Sequence, residues 1–340
     1  MQDFKNILVI DLAFIGDVVL ATPVLRSLRE AYPQAHIVML TVPLTASIAA
    51  LNPFVDTVLT YDKRGAQRGF MGMVHMARQL RAHHFDLAVC LNFAVRGAVV
   101  AWLAGIPVRA GYDAQHAGRF LTYVQSHVRQ GLKHERLNHL EILQCLRIPP
   151  SEDTSLQLRV PPEVAASVQQ KLPQLAVRPY VVLCPLGNSP KKALQTAQLQ
   201  AVSEALRADY QLFVIGGPNQ KAALQDMAAA CAIPASHVLA GRLTLPELAA
   251  FLQGAVLLVA TDTGPAHIAQ AVHCPSVVVY GPMSPLVWGP VNARDCALCA
   301  DLPCVPCNCK GKCPAVNCIA RITPVELVAA VRKRLTIAER

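Results

Sequence analysis

Two doubly wound α/β domains are the architecture that three features of the sequence predict. Short apolar runs rich in Val, Ile and Leu alternate with helical stretches along the whole chain, the pattern of repeated βαβ units around a parallel sheet. That alternation is broken by Ile148-Pro149-Pro150 and then Pro161-Pro162, where paired prolines fix an extended backbone and stop helices on either side. At 340 residues, with 53% hydrophobic, 16% charged and 5% aromatic side chains, the chain has the length for about two domains and the composition of cores built from Ala, Val, Leu and Ile rather than that of a disordered chain.

In the first half, strands are expected at 7–10, 37–42, 58–61 and 87–91, with helices at 17–31, 70–82 and 137–146. The second half starts again with strands at 180–184, 212–216, 237–239, 256–261 and 276–280, between helices around 196–207, 220–231, 245–253 and 265–272. The chain thus divides into 1–155, a second domain 156–323 with a cysteine-rich loop at 296–318, and a final helical segment 324–340. In that segment Val325, Val328, Val331 and Leu335 share one face at helical spacing, a face that needs a partner, with a return to the first domain as one solution. Two such domains facing each other across a cleft bind ligands at the carboxyl ends of their strands.

The first apolar run, Asn6-Ile7-Leu8-Val9-Ile10, is interrupted by Asp11 and then by Gly16-Asp17, and the run 97–108 is too short to span a bilayer, so a cytoplasmic protein is expected. The net charge is +9, and nearly all of it lies between residues 63 and 136, where eleven basic side chains stand against three acidic ones. Such a stretch suits an anionic substrate, an anionic membrane surface or nucleic acid, and equally a set of solvated helix faces. It offers few aromatics on which bases would stack, so nucleic acid is not an expected partner.

Three clusters can carry chemistry. Asp11-Leu12-Ala13-Phe14-Ile15-Gly16-Asp17 leads from the first strand into a helix, placing Asp17 near a helix start, where it serves as a cap or faces a ligand. Asp262-Thr263-Gly264-Pro265-Ala266-His267 repeats the strand-to-helix form; Pro265 suits the first turn, Gly264 lets a ligand approach, and the exposed amides favour a diphosphate. His267 fits either that site or a hydrogen-bonded core. Third, Cys184-Pro185-Leu186-Gly187-Asn188-Ser189-Pro190-Lys191-Lys192 sets lysines in a Gly/Pro-rich strand-end loop, able to reach a phosphate or simply to face water. The glycine loops Gly216-Gly217-Pro218 and Gly281-Pro282 end further strands of this half. Neither G-x-G-x-x-G nor a Walker sequence occurs, which argues against a dinucleotide dehydrogenase and a P-loop enzyme.

These residues resemble glycosyltransferase family 9, the lipopolysaccharide heptosyltransferases. The likeness runs through Gly16-Asp17-Val18-Val19-Leu20-Ala21-Thr22-Pro23, Phe85-Asp86-Leu87, Leu103-Ala104-Gly105-Ile106, Gly111-Tyr112, the Lys191 loop, Gly216-Gly217-Pro218 and Asp262-Thr263-Gly264-Pro265-Ala266-His267. The resemblance implies a GT-B fold of two Rossmann-like domains, with acceptor held by the first and nucleotide sugar by the second. It implies Asp17 as general base, and Lys191 or Lys192, the family pattern pointing to the first, with Gly187, Asp262, Thr263, Gly264 and His267 around the donor. The implied reaction is inverting transfer of heptose from ADP-heptose to the lipopolysaccharide inner core, an anionic lipid-linked acceptor reached at the inner membrane; lysine and amide dipoles can take the leaving charge and no Asp-x-Asp occurs, so no cofactor is expected for catalysis. Arg64 and Arg68 of the basic stretch are the candidates for acceptor binding. The sequence departs from the family where Ala193 follows Lys192 and where Asn219-Gln220 replaces an acidic residue after Gly-Gly-Pro. Two other readings stay open: a GT-B transferase or epimerase using another nucleotide sugar, and a non-catalytic basic, metal-binding protein.

Of twelve cysteines, Cys90, Cys145, Cys184, Cys231 and Cys274 lie inside apolar patterns and read as small hydrophobes. Seven crowd together as Cys296-x2-Cys299-x4-Cys304-x2-Cys307-x-Cys309-x3-Cys313-x4-Cys318. Paired C-x-x-C in a reduced compartment signals metal better than disulfide, the plain alternative being a proline-rich loop of thiols. The family resemblance selects Cys304, Cys307, Cys313 and Cys318 as ligands of a structural zinc or iron, leaving Cys296, Cys299 and Cys309 as extras.

Overall fold

The computed structural model describes residues 3–126, 133–308, 313 and 318–338. The chain divides into two units, Met1–Arg159 and Val160–Arg340, each built on a sheet whose strand pairs are all parallel.

Unit 1 runs β1 (Asn6–Ile10), α1 (Ile15–Leu20), α2 (Thr22–Ala31), β2 (His36–Thr41), α3 (Pro43–Ala49), β3 (Thr57–Thr60), α4 (Gly69–Arg81), β4 (Leu87–Cys90), α5 (Val95–Leu103), β5 (Val108–Tyr112), β6 (Tyr123–Gln125) and α6 (Glu135–Cys145). The strands lie in the order β3-β2-β1-β4-β5-β6. Helices cover both faces, so the central strands are apolar throughout instead of alternating, with Ile7, Leu8, Val9, Leu87, Ala88 and Val89 wholly buried. The helix expected over 17–31 is two helices. Pro23 lacks the N–H that would bond Val19, and the Thr22 hydroxyl donates to the Val19 carbonyl at 2.8 Å in its stead. The apolar run from 97 splits into α5 and β5 at Gly105, whose φ of +75° suits glycine.

The proline-rich segment after α6 is not a loose linker. Arg26 of α2 is buried, and its guanidinium donates to the carbonyls of Asp153 and Ser155 and to Gln157 Oε1, lies 5.1 Å from the Phe54 ring centre, and pairs with Asp153 Oδ2 at 2.9 Å. Leu156 and Leu158 are buried beneath this strap.

Unit 2 runs α7 (Pro162–Lys171), β7 (Tyr180–Cys184), α8 (Thr196–Leu206), β8 (Gln211–Val214), α9 (Lys221–Ala230), α10 (Leu245–Gln253), β9 (Leu257–Thr261), α11 (Gly264–Ala271), β10 (Ser276–Tyr280), α12 (Pro285–Trp288), β11 (Cys296–Cys299) and α13 (Pro324–Ala338), with strand order β11-β10-β9-β7-β8. Residues 237–239 do not form a strand: one bridge joins Val238 to Val214, and His237 lies in a 3₁₀ turn after Pro234 with its ring stacked on Phe213. The final helix packs on α8 of its own unit. Leu327, Val331 and Leu335 join the core with Val277 and Val279, Gln198 of α8 binds the carbonyls of Ile319 and Ile322, and Val325 is left exposed. The apolar stripe thus runs one step round the helix from the face that includes Val325.

Arg26→Ala removes several charge-assisted hydrogen bonds from a buried position and is expected to cost unit 1 about 3 kcal/mol. Asp153, whose side chain is 60% exposed, should cost well under about 1 kcal/mol as Asp153→Asn. Chemical denaturation of the two variants separates a strap held by many acceptors from one held by a single ion pair.

Candidate active site

In unit 1 the strand order reverses between β1 and β4, and the loops leaving these strands meet through side chains. Asn92, just after β4, donates from Nδ2 to Asp11 Oδ1 at 2.8 Å and accepts the Leu12 amide at 2.5 Å. The Ala13 amide also binds Asp11 Oδ1 (3.0 Å), while Asp11 Oδ2 is buried with no hydrogen-bond partner. Asp17 lies in the first turn of α1 and accepts the Phe14 amide at 3.2 Å, so it helps to cap the helix and also belongs to the carboxylate cluster. Burial first, and then the Asp11 charge, push Asp17 up to about 6, with His139 pulling the other way. Asp11 is likewise raised to about 6 by burial, against the hydrogen bonds from Asn92 and Ala13 and the charge of Lys63.

Asp11, Asn92, Glu135 and His139 were not singled out from the sequence. Asp11 stands where the first apolar run stops. Glu135, Asn138 and His139 are polar residues at i, i+3 and i+4 that α6 buries on one face, a pattern legible once the helix is extended back to Glu135. Lys63 reaches back to the Leu12 carbonyl, while Arg64 and Arg68 are exposed in the loop after β3.

Unit 2 reverses its strand order between β7 and β9, and the same rule holds. Lys192, in the loop after β7, places Nζ 2.6 Å from Asp262 Oδ2 after β9, with side chains only 14% and 8% exposed. Gly187 makes this possible. A Cβ there would lie 2.6 Å from Lys192 Cβ, and its amide binds the Lys192 carbonyl at 2.8 Å. Of the two lysines, Lys192 is therefore the one brought to Asp262, Thr263, Gly264 and His267. Thr263 precedes α11, but its hydroxyl donates to the Thr261 carbonyl (3.1 Å), so no side chain caps that helix. His267 is buried, its Nδ1 has no hydrogen-bond partner, and burial holds it below the usual imidazole range despite Asp262 nearby. Gln220, which stands where the family has an acidic residue, ties two loops together by accepting the Gly217 amide and donating to the Gly187 carbonyl, each at 2.9 Å.

Two described parts of the cysteine segment meet the turn after β10. Asn308 donates to the Pro282 carbonyl at 2.7 Å, and a Cβ on Gly281 would meet Ile319 Cγ1, the Lys191 carbonyl and Cys318 Sγ at 2.9–3.1 Å. Burial, with Cys307 and Cys313 adding to it, raises the Cys318 thiol. Among the described residues, however, no three His, Cys, Asp or Glu side chains are grouped as they would be around a metal ion. The quartet Cys304, Cys307, Cys313 and Cys318 is thus not assembled as the sequence suggested, and no step is derived through a metal. Of the extra cysteines, Cys296 and Cys299 are in β11, not a loop, where residues three apart point to opposite faces. Cys309 lies outside the described residues.

Two doubly wound parallel sheets, one with a buried carboxylate cluster and the other with a lysine beside an uncapped helix start, define a GT-B glycosyltransferase. The chain belongs to glycosyltransferase family 9 (heptosyltransferase), whose model matches residues 73–315. It is 28% identical over 286 residues to lipopolysaccharide heptosyltransferase 3 of Escherichia coli, covering 82% of this chain and 84% of that protein. The crystal structure of the family 9 glycosyl transferase from Veillonella parvula DSM 2008 is similar with a TM-score of 0.87 at 24% identity over 98% of each chain. The structure of E. coli ADP-heptose lipopolysaccharide heptosyltransferase II follows at 0.82 and 20% identity, covering 99% of this chain and all of that one.

Asp11→Asn takes a negative charge from beside Asp17 and should lower the pH at which Asp17 ionises. An NMR titration of the Asp17 carboxyl reads this directly, with the midpoint moving from about 6 toward the ordinary carboxylate range.

Proposed function

We propose that this chain transfers heptose from ADP-heptose to the lipopolysaccharide inner core, with acceptor bound by unit 1 and donor by unit 2. One observation carries the reading: Asp17 sits in a buried carboxylate cluster that raises it to about 6, which suits a base working near neutral pH. The Asp17 carboxylate takes the proton of the acceptor hydroxyl as that oxygen bonds to the anomeric carbon. On the opposite face the bond from that carbon to the diphosphate breaks, and the configuration inverts.

The departing ADP needs its growing charge neutralised. Lys192 keeps an N–H beyond those given to the Asp262 carboxylate and carbonyl, and the Gly264 end of α11 presents the positive end of a helix dipole. A neutral His267 adds a hydrogen-bonding nitrogen without the cost of a buried charge. Arg64 and Arg68 are assigned to the anionic acceptor, and the protein to the cytoplasmic side of the inner membrane in peripheral contact with it. Among the described residues no helix is long and apolar enough to cross a membrane.

Asp17→Asn should leave ADP affinity unchanged by calorimetry while lowering heptose transfer, followed by mass spectrometry of the acceptor, by about 10² or more. Because the base is the ionised form of a group whose pKa is raised, turnover of the parent enzyme should rise with pH through about 6 and level off above it. Transfer of another sugar in preference to heptose would overturn the donor assignment.

Lys192→Ala should weaken ADP binding and lower kcat by about 10² to 10³, since the leaving charge is largest in the transition state. Lys191→Ala should change either by no more than about threefold. Asp262→Asn, which keeps Lys192, controls for the stability lost when a buried ion pair is broken.

A further inference from the structure

We infer that the turn before α4 and the outer face of that helix form a docking surface for a bilayer containing anionic phospholipid. The inference rests on the proposed lipid-linked acceptor for its biological sense, and on the following observations for its location.

Phe70 and Met71, adjacent in the first turn of α4, are 63% and 71% exposed. A lone exposed apolar residue is ordinary, whereas two side by side beside a basic cavity are not. Met71, His75 and Arg78 follow at i, i+4 and i+7, one stripe of the helix, all exposed. The opposite face, with Met76, Ala77 and Leu80, is buried in the unit's core. Together with Ala66, Gln67, Arg68 and Gly72, the stripe lines a cavity of about 620 Å³, within the size range of small-ligand sites.

The turn is held stiffly. Asp62 accepts the Gly65 and Ala66 amides at 2.9 Å each, and its own amide binds Gln67 Oε1 at 2.8 Å. Gly69 has φ of +78°, and a Cβ on Gly72 would fall 1.9 Å from the Gln67 carbonyl oxygen. Phe70 and Met71 are therefore presented to solvent by the fold and not by fraying.

Charge selects the occupant. From Lys63 to Phe85 the chain has no acidic residue; Lys63 and Arg81 are engaged by the Leu12 and Leu103 carbonyls, Arg64, Arg68 and Arg78 are exposed, and the nearby Asp62 carboxylate is engaged by backbone amides. Basic side chains around an exposed apolar pair match the two parts of an anionic membrane interface: lipid phosphate for the arginines, and the acyl boundary for Phe70 and Met71.

The test is co-sedimentation with vesicles of phosphatidylcholine alone and of phosphatidylcholine mixed with phosphatidylglycerol, using the full chain. The parent protein should bind the mixed vesicles, and binding should fall with added salt and be weak on phosphatidylcholine alone. Phe70→Ser with Met71→Ser should weaken binding about tenfold or more, and Arg78→Glu about fivefold or more. Both variants should melt as the parent does and transfer heptose to a delipidated, soluble acceptor at the parental rate. Absence of binding to mixed vesicles, or variants that bind like the parent, overturns the inference. So does binding of an acidic peptide or generic DNA through these residues without vesicle binding. If the parent binds vesicles as described yet transfers no heptose to the soluble acceptor, the proposed reaction fails while the docking surface stands.

Discussion

When a parallel sheet is wound outward from its middle, right-handed crossovers send the loops after two neighbouring strands to opposite faces, and the backbone parts at the carboxyl ends of those strands. Both halves of this protein rest on that constraint. In unit 1 the gap lies between β1 and β4 and is bridged by Asn92 and Asp11; in unit 2 it lies between β7 and β9 and is bridged by Lys192 and Asp262. The buried strands and helices fix two pairs of chain ends, and the polar contacts join what the sheets hold apart.

The same kind of residue is put to opposite electrostatic use in the two gaps. Asp262 has a cation at 2.6 Å, so its charge is already balanced and the loop after β7 is pinned to the loop after β9. Asp17 has a second carboxylate for a neighbour and little water, which favours the protonated form until the pH approaches neutrality. A balanced pair suits a site that receives an anion and releases it; an unbalanced carboxylate suits one that accepts a proton. Burying a carboxylate is expensive in either case, and the fold tolerates it because amide donors and Lys192 stand in for the lost water.

Much of this was legible in the sequence where local pattern decides the outcome. The strands at 180–184 and 276–280 are bounded by Pro, Gly and charge, and the structure has them at those residues. Asp17, Gly187, Lys192, Asp262 and His267 were visible because each sits in or beside a strand-end turn rich in Gly and Pro. What was not legible depends on distant partners. Asp11 looks like the end of an apolar run until Asn92 is brought beside it from 81 residues away. The family pattern points to Lys191, yet it is Lys192, beside the close approach of Gly187, whose ammonium meets Asp262. Nor does C-x-x-C carry a record of backbone state: in a turn the two thiols converge, and in β11 those of Cys296 and Cys299 diverge.

Gly281 ends β10 at a crowded point. Its missing side chain lets the Lys191 carbonyl, Ile319 and Cys318 close on one point, so the turn after β10 is the shared back wall of the lysine loop and the segment that leads into α13. The lysine loop is therefore not an independent part. A side chain at position 281 would press at once on the Lys191 carbonyl, one residue from the ammonium that meets Asp262, and on Cys318 and Ile319, far from that ion pair in sequence.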